Sequence, residues 1–433
     1  MEQREKKQKK GDFLLAFFRL YRYNIAVIIF YHKGMGILKR KNGISATTAY
    51  SLLQIVCWGF FAVTLVFASN VLYDYGFTDS YISIFLGLCT ALSFGIQILV
   101  AEMVNASEKV KVWMVLLLLG LAMLGGNLLI LIPGVPRWAG VLSYGMACCI
   151  LLMLPSFVNA VGMDAIRRGS PTNYSVARGL GSLGYSVLAY FTGSLVRLHG
   201  TRMVAVVGGA TAFFMVVGTI WFHMTGEKDL EELPRETEKP LQKNHGFLKQ
   251  YPLFAVFLVG SVIIQYAHNL PSNFMYQIML TRNGGAQEQG LASAICALSE
   301  LPVMFFFPIL MRYLRCDKWV RFSAMFMILK AVGILMASTP NGIYVAQATQ
   351  ALGYGLFVIS SVNYAELVVG RGESVRAQTY LGSTATVGCL LATSTGGFLC
   401  EHLSVNAMVF TSLIASLVGG LLILFTAEKT KQP

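Results

Sequence analysis

Glu300, Lys330 and Arg178 set the chemical question for this 433-residue chain, because each falls inside a long apolar stretch. An ionised side chain inside a membrane is costly, so it marks either a site or a structural pair. Glu300 is the one carboxylate near the middle of such a stretch. A carboxyl held out of water can load and release a proton, and it accepts hydrogen bonds from hydroxyl groups. The competing reading is a structural ion pair with Lys330, and a pair that breaks during a cycle would serve both purposes. Arg178, Gly181 and Tyr185 fall at i, i+3 and i+7 and so share a helix face. That face offers a guanidinium fork for hydroxyls, a gap, and an aromatic plate for a sugar or base ring. Against this, Arg178 is placed to snorkel to the interface, with Tyr185 as ordinary packing.

A second polar group is Gln265, Tyr266, His268 and Asn269, followed by Pro271. A polar, proline-broken helix is expected where irregular backbone lines a cavity. His268 then either binds ligand or carries protons, or it meets water at the outer end. Gln54, Asn127, Gln347, Gln350 and Asn363 serve either as helix-to-helix hydrogen bonds or as ligand contacts. Asn269 and Asn363 are kept with the solute-binding candidates. Asp164 precedes Arg167 and Arg168 by three and four residues, which predicts a local ion pair. The cluster from Arg312 to Lys318 reads as a gate latch or as a plain basic loop.

The elements that hold these residues are twelve apolar stretches between about 45 and 427, each long enough to cross a bilayer. With 55% hydrophobic and only 13% charged residues, the composition excludes an ordinary soluble domain. The fold class is therefore an all-α polytopic membrane protein of twelve spans in two six-helix halves. The expected divisions are a basic tail with an interfacial helix (1–44), a first bundle (45–225), a charged linker (226–250), a second bundle (251–427) and a short tail (428–433). Met35, just ahead of Lys39, Arg40 and Lys41, is an alternative start. With both termini in the cytoplasm, 28 of the 34 Lys and Arg lie on the cytoplasmic side; the outer loops hold only Arg137, Arg197, Arg202 and Arg282. That asymmetry predicts a multi-pass protein of the plasma (inner) membrane. It also assigns the net charge of +13 to lipid head groups rather than to nucleic acid.

Other classes find little support. No G-x-x-x-x-G-K-[ST] loop suggests a nucleotide-driven pump, and no H-E-x-x-H or G-x-S-x-G suggests an enzyme. The eight cysteines lack metal spacing and read as small apolar fillers. No cofactor or metal is expected.

Leu180-Gly181-Ser182 in the fifth span returns as Leu381-Gly382-Ser383 in the eleventh, which suggests an internal repeat of the two halves. Arg167-Arg168 leads into Tyr174-Ser175-Val176-Ala177-Arg178-Gly179-Leu180-Gly181-Ser182-Leu183-Gly184-Tyr185, and Glu300 precedes Met304-Phe305-Phe306-Phe307-Pro308. On these motifs the chain resembles the major facilitator superfamily, and within it the lactose permease-like sugar and nucleoside proton symporters. The resemblance implies a fifth-span arginine with an aromatic seven residues on, and an eighth-span acid ahead of an aromatic-proline end. It places Asn159 where that family carries a fourth-span carboxylate in contact with sugar. It departs from the family at Glu102–Lys109, where the usual acid-arginine-glycine loop is missing, and at Gly353-Tyr354-Gly355, where a histidine and a carboxylate are missing. Lactose itself and that proton pathway therefore do not carry over.

The expected function is secondary active transport by alternating access, a proton symport of a neutral hydroxyl-rich solute such as a sugar or oligosaccharide. The alternatives are a nucleoside or small aromatic-acid symporter, and drug efflux. The expected site is Arg178, Tyr185, Asn159, His268, Asn269 and Asn363 for solute, with Glu300 and Lys330 for the proton. The partners are the solute, a proton and the bilayer, and one chain is expected to suffice as a monomer.

Overall fold

The computed structural model describes residues 41–106, 110–226, 246–369 and 373–430, and among them the regular elements are all helices. The first half runs α1 (Lys41–Thr64) with α2 (Ala68–Asp74), α3 (Asp79–Ala106), α4 (Val112–Leu131), α5 (Arg137–Arg167), α6 (Tyr174–His199) and α7 (Arg202–Gly226). After a short α8 (Phe247–Gln250) come α9 (Pro252–Asn273) with α10 (Met275–Leu280), α11 (Ala286–Leu310) and α12 (Cys316–Met336). The last are α13 (Pro340–Ala348), a 3-10 turn (Thr349–Ala351), α14 (Tyr354–Val368), α15 (Ser374–His402) and α16 (Val405–Thr426). Read as spans 1 to 12, ten are long and apolar enough to cross a membrane. The other two, spans 5 (α6) and 11 (α15), have the length at 26 and 29 residues but are enriched in small and polar side chains. The tail over 1–40, with its Met35 alternative, and the linker over 227–245 lie outside the described residues.

Three spans are interrupted. In span 1 the helix interrupts between Thr64 and Ala68; Tyr144 donates its hydroxyl to the Thr64 carbonyl at 2.7 Å, and Gln289 reaches across from the second half to the Val66 carbonyl. Span 7 was expected to break at Pro271, but the helix runs through the proline and interrupts at Phe274. A proline cannot donate to the carbonyl four residues back, and that carbonyl, of Ala267, instead accepts from Ser412 of span 12 at 2.6 Å. Span 10 is interrupted between Ala348 and Tyr354, where a 3-10 turn covers Thr349–Ala351.

The repeat is visible in the packing. In the first half span 1 packs on spans 5 and 6, span 3 on 4 and 6, and span 2 on 4; in the second half span 7 packs on 11 and 12, span 9 on 10 and 12, and span 8 on 10. Every pairing thus recurs six spans later. The halves meet through spans 5 and 8 and through spans 2 and 11. Small residues let the backbones touch there. A side chain at Gly290 would collide with the Ala189 carbonyl, and one at Gly397 with the Asp79 carbonyl. Farther along spans 2 and 11, Gly95 and Gly382 face open space. The halves are therefore in close contact at the end bearing Asp79 and Gly397; toward the other end spans 2 and 11 part, while Gly179 of span 5 still meets Phe305 of span 8.

Hydrogen bonds reinforce the closed end. Glu401 of span 11 accepts from the Ser80 amide at the start of span 2 at 2.7 Å, an anion on a helix N-terminus. Gln277 of the second half donates to Asp79 at 2.8 Å and to Ser69 at 3.1 Å. Elsewhere the expected Asp164–Arg168 ion pair forms, at 2.8 Å. In the basic loop Arg315 grips Asp317 with two bonds of 3.0 Å, and Asp317 accepts from Thr430 of the same half at 3.0 Å.

Glu401→Gln removes the charge from the closed-end cap and is expected to raise the population with that end open several-fold. Spin labels at the exposed positions Tyr81 and Leu403 read this directly as a second, longer distance; an unchanged distance distribution would remove Glu401 from the latch.

Candidate functional site

The first half presents a wall built on one stripe of span 1. Tyr50, Gln54 and Trp58 stand four residues apart and so stack along one helix face. The Gln54 amide donates to the Tyr50 hydroxyl at 2.8 Å and to Asn159 Oδ1 at 3.0 Å, and accepts from the Trp58 ring nitrogen at 3.2 Å. Tyr50 donates onward to the Val158 carbonyl at 3.2 Å, and Tyr174 donates to Asn159 Oδ1 at 3.3 Å. Asn159, Gln54 and two tyrosines thus form one connected polar patch over spans 1, 4 and 5. Arg178 lies across the Trp58 ring at 4.1 Å and donates to Ser182 Oγ at 3.0 Å. A guanidinium on an indole face is favourable, and more so out of water.

Two expectations change here. The gap anticipated at Gly181 is filled: a side chain there would strike Trp58 and the Gln54 backbone, so the glycine exists to admit span 1. Tyr185 shares the face of Arg178 but stands seven residues along, roughly 10 Å at the helical rise. It packs there with Ala62, Ala189 and Ala294, where spans 5 and 8 meet.

The second half carries the titratable groups. Glu300 of span 8 accepts from Gln350 Nε2 at 2.7 Å, and the Gln350 carbonyl in turn accepts from Lys330 of span 9. Lys330 also approaches Cys296 Sγ at 4.0 Å. In place of the direct ion pair of the competing reading, Glu300 and Lys330 are joined by an amide bridge, because the interruption of span 10 sets Gln350 between them. Lys330 and Gln350 are buried at 3% and 1% exposure, whereas Glu300 is half-buried and so can be reached from the space between the halves. Gly355 allows span 10 to pass against the Glu300 side chain. Across that space Arg178 and Glu300 lie close enough to act on each other electrostatically, and Tyr185 and Tyr354 also feel the Glu300 charge.

His268 stacks face to face on Tyr354, with ring centroids 3.6 Å apart and planes 11° from parallel. Its neighbour Asn269 donates back to the Gln265 carbonyl at 2.8 Å, as polar side chains often do within helices. Asn363 is not brought to this group. It donates to the Ile359 carbonyl at 2.8 Å and stands eight residues beyond Gly355, about 12 Å farther along the helix. The residues that sequence reading passed over are Tyr50, Trp58, Tyr174 and Tyr354. The four-residue spacing of Tyr50, Gln54 and Trp58 was their visible signal; Tyr354 appeared only as part of a departure from a family pattern.

The arrangement sets a half-buried carboxylate, held by a neutral amide, opposite a guanidinium fixed on an indole. Such a pair accepts and donates hydrogen bonds to a polar solute, and the carboxylate can take a proton. Among the described residues no group of three or more His, Cys, Asp or Glu converges to hold a metal, and all eight cysteines are free thiols. Gln350→Leu leaves Lys330 and Glu300 without their bridge and is expected to lower folding stability by about 1–3 kcal/mol, read as a fall in the thermal unfolding midpoint of the purified protein. A midpoint equal to wild type would mean that the bridge holds nothing together.

Comparison with known proteins agrees with this architecture. A family model, the MFS_1 like family, matches residues 47–412. No curated relative matches the chain. Among solved structures the chain is similar to the nucleoside transporter NupG, at 16% identity and TM-score 0.69 over 89% of this chain and 98% of that one. It is similar to a bacterial homologue of the iron transporter ferroportin in an inward-facing state, at 10% identity and TM-score 0.69 over 89% and 99%. It is also similar to a mutant of the peptide transporter POT, at 13% identity and TM-score 0.66 over 90% and 96%. At these identities the likeness speaks for the fold. With an all-helical architecture among the described residues and a family match over most of its length, this chain belongs to the MFS_1 like family of major facilitator transporters.

Proposed function

We propose that this secondary transporter carries a neutral, hydroxyl-rich solute, a sugar or oligosaccharide, together with a proton. The observation that carries the reading is the half-buried Glu300 carboxyl, bonded to the neutral Gln350 amide and facing Arg178 across the two halves. In a bilayer, a carboxyl in this setting is a functional group by default. Glu300 takes the proton, and Lys330 balances the charge through Gln350. Arg178, Asn159 and His268 offer donors and acceptors to hydroxyls, and the exposed parts of Trp58 and Tyr354 offer ring faces. The excess of cations toward the end away from Asp79 and Gly397 supports assigning that end to the cytoplasm of a plasma (inner) membrane protein, and the parting of spans 2 and 11 there supports an inward-facing conformation. The halves, 45–225 and 251–427, rock about this midplane site, and one chain is sufficient.

A nucleoside is the second reading. The flat faces of Trp58 and of the His268–Tyr354 stack suit a base as well as a sugar ring, and the likeness to a nucleoside transporter gives this reading its place. Drug efflux fits less well, because efflux cavities are greasier than this polar wall.

Counterflow in proteoliposomes, sugars against nucleosides, separates the readings in wild type and Glu300→Gln. Counterflow needs no net proton movement, so a sugar should exchange in both proteins while only wild type shows pH-driven uptake. Exchange of nucleosides alone would transfer the site to the second reading. A mutant dead in both assays would withdraw Glu300 from coupling.

A further inference from the structure

The buried end of the charge chain is Lys330, and it makes fewer contacts than an ammonium can. Its three donors meet the Gln350 carbonyl and a distant Cys296 sulfur. A charge out of water needs a full set of partners. The need is greatest when Glu300 is protonated, since the lysine then faces no anion at all.

Lys330 also borders a small, partly open cavity lined by spans 7, 9 and 12. About 10 Å³ of it is open to the centre of a water-sized sphere, which is roughly the room that one water requires. Its polar walls are Lys330, His268, Ser412 and Ser416, and Ala331 and Ile334 close it on the apolar side. His268 lines the cavity, and its Nδ1 is a buried atom with no protein partner. The ring plane is held by its stack on Tyr354. Ser412 spends its hydrogen on the Ala267 carbonyl that Pro271 leaves free, and its lone pairs remain to accept. One strong donor, one orphaned acceptor and a hydroxyl oxygen around a single-water volume are the set a buried water occupies.

We infer that this cavity is a site for one ordered water, which accepts from Lys330 Nζ and donates to His268 Nδ1. His268 is then a positioning residue. It acts through the water, holding Lys330 at Gln350 and keeping the ammonium solvated while Glu300 changes its charge. The consequence for coupling rests on the proton reading above; the water site itself does not.

The test uses full-length protein with nitrogen-labelled histidine, which gives six residues to resolve, and His268→Gln assigns the signal. Ala331→Val fills the cavity from span 9 and Ser416→Val fills it from span 12, and neither removes the donor or the acceptor. In wild type, Nδ1 of His268 should appear as an unprotonated, hydrogen-bonded nitrogen, and in both filled variants it should move to the free-nitrogen position. In the same variants proton-driven uptake should fall about tenfold while counterflow stays within about twofold, because an ordered water is displaced by a group that cannot replace its bonds. A free nitrogen in wild type, or a signal unmoved in both variants, overturns the site. If wild type moves solute without protons, the coupling reading fails, and the labelled spectra alone still decide the water.

Discussion

A charge buried in a helical bundle must be matched by whatever the neighbouring helices can bring to it, and this constraint organises the molecule around Lys330 and Glu300. The two sit on different spans, and neither touches the other. Span 10 tightens into a 3-10 turn at Thr349–Ala351, and Gln350 within it stands between them. Gly355 then lets the span pass close to Glu300. Span 7 carries Pro271 beside the same region, and span 12 supplies Ser412 to the carbonyl the proline frees. Irregular backbone at membrane depth persists where side chains answer its unpaired groups, and those answers converge here.

The two halves repeat the same packing but not the same chemistry. At matched places, Gly181 is closed over by Trp58, whereas Gly382 faces open space. The first half is a rigid wall in which Gln54, Asn159, Tyr50 and Tyr174 satisfy one another and Arg178 rests on an indole. The second half holds the group that can change charge. Contact between them is tightest at small residues, Gly193 against Gly290 and Gly397 against Asp79. Such contacts can part without exposing large apolar side chains, which suits a protein that must open at either end.

Much of this was legible in the residues. Twenty apolar residues in a row permit only a helix in a bilayer, so the spans follow directly. Spans 5 and 11, weak in hydropathy, announce themselves by their small residues and by their shared Leu-Gly-Ser. Glu300, Lys330 and Arg178 stand out because charges there are expensive. The bridge through Gln350 was hidden, because its break contains no proline and the glutamine looked like any helix-to-helix amide. The filling of Gly181 by Trp58 depends on how span 1 is rotated against span 5, which helical spacing on one span cannot reveal. Tyr185 and Asn363 show the converse: a shared face or a shared span does not bring residues to one depth.

The central claim is that solute and proton move together through the Glu300 group. The most direct measurement is the internal pH of proteoliposomes when solute is added outside at equal pH on both sides. The account predicts that the interior acidifies as solute enters through wild type, and that Glu300→Gln exchanges solute with no acidification. Solute entry through wild type at constant internal pH, or equal acidification in the mutant, would contradict it.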